Sequence, residues 1–467
     1  MTSFSDFKVW GSALLIATLL GSLLIGNIIK KTIKPLRNSL LPTSVLAGII
    51  LLLVAVVCDL IWDKDLFDLE IFGGNGYAML ETITYHALAL GFIASSFKTQ
   101  DGKLTKKRTV EIFDTGVTTV STYLIQGVFG MAITIIAALV LTDFFPAAGI
   151  LLPFGFGQGT GQAMNYGNIF EQDFGFAGGK SFGLTIAALG FLSASIGGVI
   201  HLNIMRLRGR IKLNRGEEKL NSELIEREDE IPMQESVDKL TLQVAFIAVA
   251  YVLTYLIMAG LSALIPSMSS TIFGFNFLIG VLSATLIKLL LKGLRKCGAV
   301  KKEYTNNFLM TRTGNFFYDI MVVSGIAAIK LDVLEKYWGL MIILGAVGLV
   351  VTYAYLRIVC KTLFRDYPEE QFLAMYGMLT GTASTGVILL RELDGDFKTP
   401  AADNLVYQNF PAIAFGFPLM LIATFAPKQP ILTLVILIVF FLAMNLLLFR
   451  SKIFRRRKKA ASEPEAE

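Results

Sequence analysis

Two glycine-rich segments interrupt the apolar runs of this chain: AAGILLPFGFGQGTGQAMNYGNIFEQDFGFAGG, residues 147–179, and YPEEQFLAMYGMLTGTASTGVILLRELDGD, residues 367–396. In each, apolar limbs of about 8–10 residues flank a centre of glycine and small polar residues, and such a limb reaches the middle of a bilayer but cannot cross it. Backbone that is not helical is tolerated at that depth only where it is packed in protein or lines an aqueous cavity. The segments therefore predict re-entrant hairpins at about 146–178 and 367–394.

The overall composition is that of a membrane protein. Of the 467 residues, 54% are hydrophobic and 17% are charged, and the mean hydropathy is +0.63, whereas soluble domains carry about 25% charged residues. Three cysteines and two histidines are too few for a disulfide framework or a histidine-built metal centre. These values exclude a soluble enzyme, a nucleic-acid-binding module and a small secreted domain, and they indicate an all-α integral membrane protein.

The other apolar runs predict about eleven transmembrane helices. Each run is close to the length of about 20 residues that a spanning helix needs. The first is interpreted as a retained helix, because it lacks the basic start and short apolar core of a cleavable signal. The predicted spans are Val9–Ile29, Leu41–Trp62, Tyr77–Phe97, Ile112–Leu141, Phe182–Met205, Leu240–Leu264, Ile272–Leu291, Phe308–Ile329, Tyr337–Leu356, Leu405–Ala426 and Ile431–Phe449.

The basic residues fall in alternate loops, which predicts the orientation of the chain. Short loops rich in Lys and Arg stay in the cytoplasm. Here such loops follow the first, third, fifth, seventh, ninth and eleventh spans, and the loops between them carry few basic residues. An N-terminus outside and a C-terminus in the cytoplasm satisfy every loop. We therefore expect a multi-pass protein of the cell (inner or plasma) membrane.

The spans divide into two halves that run antiparallel. A polar segment at 206–239, interpreted as a cytoplasmic linker, separates a first five-helix repeat at 1–205 from a second at 240–426. An additional helix at 427–449 precedes a basic cytoplasmic tail at 450–467. Because five spans separate the halves, the first hairpin starts from outside and the second from the cytoplasm. The chain therefore predicts two inverted repeats, each with a re-entrant hairpin, an arrangement that builds ion and substrate sites in transporters.

The hairpin centres and a few charges within the spans are the candidate binding site. Hydroxyls and amides beside glycine offer neutral oxygen ligands to a cation, and the N-terminus of a returning half-helix offers N–H groups to an anion. Arg312, Asn315 and Asp319 share one face of the eighth span, where they could pair with one another or with ligand and ion. Arg391 could bind a substrate carboxylate bidentately, extend to the cytoplasmic surface or pair with Glu392.

The hairpin centres resemble those of the bacterial sodium/glutamate symporters and, more distantly, those of the sodium-dependent citrate carriers. The similar residues are Gly157-Gln158-Gly159-Thr160-Gly161-Gln162-Ala163, Gly381-Thr382-Ala383-Ser384-Thr385, LALGFIASSF at the end of the third span and SGIAAIKL at the end of the eighth. The resemblance covers about residues 9–426. It implies a homodimer in which a scaffold holds a mobile unit that carries both hairpins by an elevator-like shift. The first hairpin, the charged RELD sequence and the eleventh span depart from the better-known glutamate carriers.

We therefore expect a sodium-coupled symporter that takes up an acidic amino acid, with glutamate as the first candidate, among membrane lipids and without nucleic acid. The expected substrate-binding residues are Gln158, Gly159, Thr160, Gln162, Asn165, Thr382, Ser384, Thr385, Arg391 and Arg312. The candidate Na⁺ ligands are Thr160, Thr382, Ser384 and Asp319.

Several alternatives stay open at this point. Coupling to Na⁺ follows mainly from the resemblance, and Asp319, Glu81 and His86 leave a proton route open. Another di- or tricarboxylate could be the substrate, and opposed half-crossings could also build a channel. A membrane-embedded enzyme would need a nucleophile with a positioned base, and the sequence has no recognisable motif of that kind.

Overall fold

The computed structural model of the chain describes residue 4 and residues 6–38, 41–98, 105–141, 144–208, 237–266, 269–299, 302–331, 337–394 and 398–450. Most of the predicted linker at 206–239 and nearly all of the predicted tail at 450–467 lie outside these residues.

The regular structure of the described residues is helical, without a β-strand. In chain order the helices are α1 (Phe7–Thr32), α2 (Lys34–Asn38), α3 (Thr43–Trp62), α4 (Gly76–Phe97), α5 (Lys106–Val140), α6 (Leu151–Phe174), α7 (Gly179–Leu207), α8 (Lys239–Leu264), α9 (Ser269–Gly274), α10 (Asn276–Lys296), α11 (Asn307–Ala327), α12 (Trp338–Leu363), α13 (Pro368–Thr380), α14 (Ala383–Arg391), α15 (Ala401–Tyr407), α16 (Asn409–Phe425) and α17 (Pro430–Leu448). Short 3₁₀ turns lie at Leu66–Asp68, Glu70–Phe72 and Pro146–Ile150.

Among the described residues, nine helices are long and apolar enough to cross a membrane, which agrees with an all-α membrane protein. They are α1, α3, α4, α5, α7, α8, α10, α12 and α17. The predicted eighth span is the 21-residue helix α11, whose charged and amide side chains lower its hydropathy. The predicted tenth span is divided into α15 and α16 at Gln408, because Pro411 has no N–H to donate and its ring clashes with the carbonyl four residues earlier, at Tyr407, where α15 ends.

The chain folds into two compact units that do not coincide with its two halves. The first unit contains Met1–Gly102, Gly159–Ala188 and Glu217–Lys336, and the second contains Lys103–Gln158, Leu189–Gly216 and Tyr337–Glu467. Each unit therefore takes helices from both predicted repeats. The repeats themselves, and the orientation of the termini, stay predictions.

In the first unit, α11 packs closely against α3 and α4. A Cβ placed on Gly91 of α4 would lie 2.6 Å from Cε1 of Tyr318, and one on Gly48 of α3 would lie 2.7 Å from Cβ of Ile326. Small residues let transmembrane helices approach in this way. The fully buried Ile93, Ala94, Phe97, Ile247, Ala250, Ala284 and Met310 form a core that joins α4, α8, α10 and α11.

In the second unit, α17 is a packed component and not a peripheral addition. Its buried residues include Thr433, Leu437 and Met444, which recur at helical spacing and so form one stripe. Leu437 packs against Gly127 of α5, and the Tyr355 hydroxyl of α12 donates a 2.9 Å hydrogen bond to Oδ1 of Asn445. The predicted eleventh span therefore helps to hold α5 and α12 together.

Candidate functional site

The second glycine-rich segment forms a helical hairpin in the second unit. Helices α13 and α14 pack on each other at two glycines: a Cβ on Gly377 would lie 2.7 Å from Cα of Gly386, and a Cβ on Gly386 would meet the carbonyl oxygen of Ala374. The chain reverses at Gly381, and the Thr382 side chain caps α14 by accepting a hydrogen bond from the backbone N–H of Thr385. Glycine is needed at this crossing, because any side chain would separate the two helices.

The tip of this hairpin lies about halfway along three long helices. The Gln126 side chain, near the middle of α5, donates hydrogen bonds to the carbonyl oxygen of Leu379 at 2.9 Å and to the hydroxyl of Thr352 in α12 at 2.8 Å. A Cβ on Gly190 of α7 would lie 2.6 Å from the carbonyl oxygen of Thr380. If α5, α7 and α12 cross the membrane, the tip is close to its middle.

The first limb of α6 ends at the same place in the second unit. The Tyr123 hydroxyl of α5 donates a 3.1 Å hydrogen bond to the carbonyl oxygen of Gly157. A Cβ on Gly190 would lie 3.2 Å from Cα of Phe156, in addition to its contact with Thr380. The backbones of both glycine-rich segments therefore converge on Gly190. The predicted ligand Gln158, which is partly exposed, follows directly.

Helix α6 is interrupted at Gly159, and its second limb belongs to the first unit. Gly159 has φ 81° and ψ −172°, a conformation that is essentially limited to glycine. The buried Thr160 donates a 3.2 Å hydrogen bond to the carbonyl oxygen of Met321 in α11. Because the limbs on either side of Gly159 fall in different units, the re-entrant hairpin at 146–178 stays a prediction.

Two buried amides continue this second limb. The Asn165 amide donates a 3.2 Å hydrogen bond to the carbonyl oxygen of Gly274, where α9 ends. Gln162 is 1% exposed, and its Nε2 has no hydrogen-bond partner among the described residues. Such an unpaired buried donor is costly unless water or a ligand satisfies it. Both amides were predicted as ligands, and Gln162 retains a free donor for that role.

The remaining predicted residues are distributed unevenly. The Thr382 and Thr385 hydroxyls lie 3.3 Å apart beside the hairpin tip, whereas Arg391 is the last residue of α14 and is partly exposed. The side chain of Ser384 lies outside the described residues. In the first unit, Asp319 is exposed on one face of α11, while Met321, which Thr160 contacts, is two residues and about 200° away around the helix. Thr160 and Asp319 are therefore not brought together as one Na⁺ site.

The candidate proton carriers in α4 are both engaged. Glu81 accepts a 2.7 Å hydrogen bond from the Lys180 ammonium group, which also lies 3.8 Å from Glu171. Nδ1 of His86 lies 2.5 Å from the Tyr251 hydroxyl. These contacts join helices of the first unit, and the Asp319 carboxyl of α11 interacts in the same unit with the Ser44 side chain of α3.

A charge network that sequence reasoning missed holds the base of the second hairpin. Glu369, at the start of α13, accepts hydrogen bonds from both terminal nitrogens of Arg357 in α12. The buried His201 of α7 lies with Nε2 3.1 Å from Glu369 and with Nδ1 2.8 Å from the Tyr353 hydroxyl. The signal in the sequence was a lone histidine in an apolar span, which by itself does not name its partner.

Replacing Glu369 with glutamine is expected to lower the free energy of unfolding by about 2 kcal/mol, because Arg357 would lose a charged hydrogen-bond partner. Burial raises the pKa of Glu369, but the hydrogen bond from His201 and the Arg357 guanidinium together lower it to about 2. The network therefore stabilises the fold fully above the usual pKa of 4.5 and loses that contribution as the pH falls towards 2.

The matched control is Glu370→Gln, which removes the same charge one residue away. Glu370 forms no ion pair with a described residue, and burial, with smaller contributions from the nearby Asp394 and Glu369, raises its pKa. We expect a thermal midpoint that is clearly lower for Glu369→Gln and unchanged or higher for Glu370→Gln. Equal midpoints for the two variants would contradict the role of the network.

The described residues contain no group of three or more His, Cys, Asp or Glu side chains that could hold a metal ion. Where the two glycine-rich segments converge on Gly190, the oxygen atoms are instead those of hydroxyls, amides and backbone carbonyls, which are the ligand types of hard cations.

Comparison with known proteins does not identify a family for this chain. No protein-family model matches it, and no curated protein matches it.

Proposed function

We propose that this chain is a sodium-coupled secondary active transporter, a symporter that takes up an acidic amino acid by alternating access. Glutamate is the first candidate substrate. The expected assembly is a homodimer, and the expected mechanism is an elevator-like shift. The proposal rests on geometry and on the resemblance of the hairpin centres to the sodium/glutamate symporters.

One observation carries the proposal: two interrupted helical segments converge on Gly190, about halfway along α7. Both segments end there in glycine, hydroxyl and amide groups. A membrane protein tolerates such broken backbone at this depth where it lines a cavity or holds a ligand. The Thr382 and Thr385 hydroxyls and nearby carbonyls can ligate Na⁺, and the N-terminus of α14 can receive a substrate carboxylate.

The division into two compact units supports the elevator-like mechanism. The first unit holds the first to third and the sixth to eighth predicted spans, which are corresponding members of the two predicted repeats. The second unit holds the fourth and ninth spans together with the second hairpin. A scaffold and a mobile unit require two such bodies; α6 and α7, which run through both units, would be the connections between them.

Two related functions remain as alternatives. Coupling to protons would use Asp319, because Glu81 and His86 are committed to Lys180 and Tyr251. A different di- or tricarboxylate would use the same cationic and N–H groups. A channel is disfavoured, because the close backbone packing at Gly190 offers little space for a continuous pore.

The deciding experiment is uptake of radiolabelled glutamate into proteoliposomes. With an inward Na⁺ gradient we expect saturable accumulation above the external concentration, and with K⁺ in place of Na⁺ we expect none. Uptake driven equally by a proton gradient would reject sodium coupling. Absence of glutamate uptake by folded protein under both gradients would reject glutamate as the substrate.

Replacing Thr382 with valine is expected to raise the Na⁺ concentration for half-maximal uptake by about 10- to 100-fold, because an oxygen ligand worth about 1.5–3 kcal/mol is lost. Thr382→Ser keeps the hydroxyl and should stay close to wild type. Thr424→Val is the matched control, since its hydroxyl only bonds the carbonyl oxygen of Leu421 within α16. An unchanged Na⁺ dependence for Thr382→Val would remove Thr382 from the ion site.

A further inference from the structure

One face of α11 is polar and largely exposed, with Asp319 at its far end in contact with the Ser44 side chain of α3. Arg312, Asn315 and Asp319 are exposed, and Phe316 beside them is 48% exposed. These four residues, called here the open face of α11, lie along the middle of the helix, which runs from Asn307 to Ala327. The Arg312 guanidinium stacks 5.1 Å from the centre of the Phe308 ring and forms no ion pair with any described residue.

The other faces of α11 are covered by neighbours in the same unit. Gly91 and Ala94 of α4 pack against Tyr318 and Gly314, and Thr160 contacts the side on which Met321 and Gly325 lie. On the α3 side, Gly48 packs against Ile326. The open face is therefore a defined stripe of α11 and not the surface of a loosely packed helix.

Lipid acyl chains are unfavourable surroundings for the charged and amide side chains on the open face of α11. A charged side chain in the centre of a membrane helix costs about 2.5–3.5 kcal/mol on insertion scales, and such residues face water or a protein partner instead. Exposed residues on other helices of the first unit, such as Val249 and Val252 of α8 and Leu53 of α3, are apolar and 58–60% exposed. The contrast separates a lipid-compatible surface from the open face of α11.

We propose that water covers the open face of α11 and that this face lines an aqueous path from the cytoplasm into the membrane. This inference rests on the proposed transport function, and it gives α11 a role in addition to that of the two hairpins. Under the predicted orientation α11 starts in the cytoplasm, so an anion meets Arg312 first. Asp319 lies seven residues further, about 10 Å deeper, where it attracts a cation.

Thiol labelling in inside-out membrane vesicles tests the path without measuring transport. Three single-cysteine proteins are compared after replacement of the remaining native cysteines by alanine: one that keeps Cys297, one with Asn315→Cys and one with Val249→Cys. Cys297 is exposed at the end of α10 and is the positive control. Val249 is 59% exposed and lies ten residues into α8, a depth similar to that of Asn315 in α11.

A charged, membrane-impermeant methanethiosulfonate reagent is expected to modify Asn315→Cys and Cys297 at least about tenfold faster than Val249→Cys, because a thiol in apolar surroundings forms little thiolate. If Asn315→Cys does not fold, Phe316→Cys on the same face replaces it. A reaction as slow as that of Val249→Cys would overturn the proposal. A disulfide between two copies at position 315 would also overturn it, since a second copy would then cover the face.

These outcomes are separable from the proposed function. Labelling of Asn315→Cys by water-soluble reagent remains measurable in a protein that does not transport glutamate. Conversely, sodium-driven uptake together with an unreactive position 315 would keep the transporter and reject the path along α11.

Discussion

Replacing Gly190 with alanine is expected to abolish transport and to lower the stability of the fold. A Cβ at this position would lie 2.6 Å from the carbonyl oxygen of Thr380 and 3.2 Å from Cα of Phe156. Both are backbone atoms, so the hairpin tip and the first limb of α6 would have to move. Overpacking of this kind costs about 1–3 kcal/mol, and a displacement of about 1 Å at a binding site can cost about 100-fold in rate.

The predicted loss of stability in Gly190→Ala is opposite to the usual effect of replacing a helical glycine with alanine. Alanine inside a helix is otherwise more stable than glycine by about 0.5–1 kcal/mol. Gly21→Ala in α1 is the matched control, because a Cβ there has no other atom within 4 Å. We expect a higher or unchanged thermal midpoint for Gly21→Ala with normal uptake, and a lower midpoint without uptake for Gly190→Ala. Wild-type uptake by Gly190→Ala would contradict the convergence of the two segments as the working site.

Replacing Arg312 with glutamine is expected to raise the KM for glutamate uptake by about 10- to 100-fold, because a charge-assisted contact to a carboxylate is worth about 1.5–3 kcal/mol. Arg312 has no ion pair with a described residue, so its charge is free to act on a dissolved anion. Arg312→Lys should recover part of the effect, since lysine keeps the charge but loses the bidentate geometry.

The control for Arg312 is Arg295→Gln at the end of α10. Like Arg312, Arg295 is predicted to lie towards the cytoplasmic side of the membrane. Its guanidinium pairs with Glu303 at 2.9 Å. Exposed pairs of this kind contribute about 0–1 kcal/mol, so KM should stay near wild type. Equal KM values for wild type and Arg312→Gln would leave Arg391 as the substrate-binding arginine, which is the other possibility that the sequence leaves open.

Much of the helical framework was predictable because the bilayer demands it. A backbone in lipid must satisfy its own hydrogen bonds, so runs of about 20 apolar residues become helices. Predicted Tyr77–Phe97 is observed as Gly76–Phe97, and predicted Leu240–Leu264 as Lys239–Leu264. The prediction was weakest at the eighth and tenth spans, where charges and prolines compete with apolar character.

The positions of the helix breaks were also readable from local composition. Gly159 and Gly381 lie where the sequence concentrates glycine with small polar residues, and both have non-helical backbone. Glycine permits these conformations, but it does not specify which neighbours the broken ends will meet. The pairing of Glu369 with Arg357 and His201 was equally hidden, because its members are far apart in the chain.

The amino-acid sequence by itself determined the class of the protein, the helices and the two sites where helical backbone fails, because these depend on local hydrophobicity and local backbone freedom. Only the tertiary structure decided that Gly190, an unremarkable glycine within an apolar helix, lies at the convergence of both segments. It also separated Thr160 from Asp319 on α11 and left Arg312 on an open face. Such contacts join residues that are distant in the chain, and they depend on which helix faces pack together.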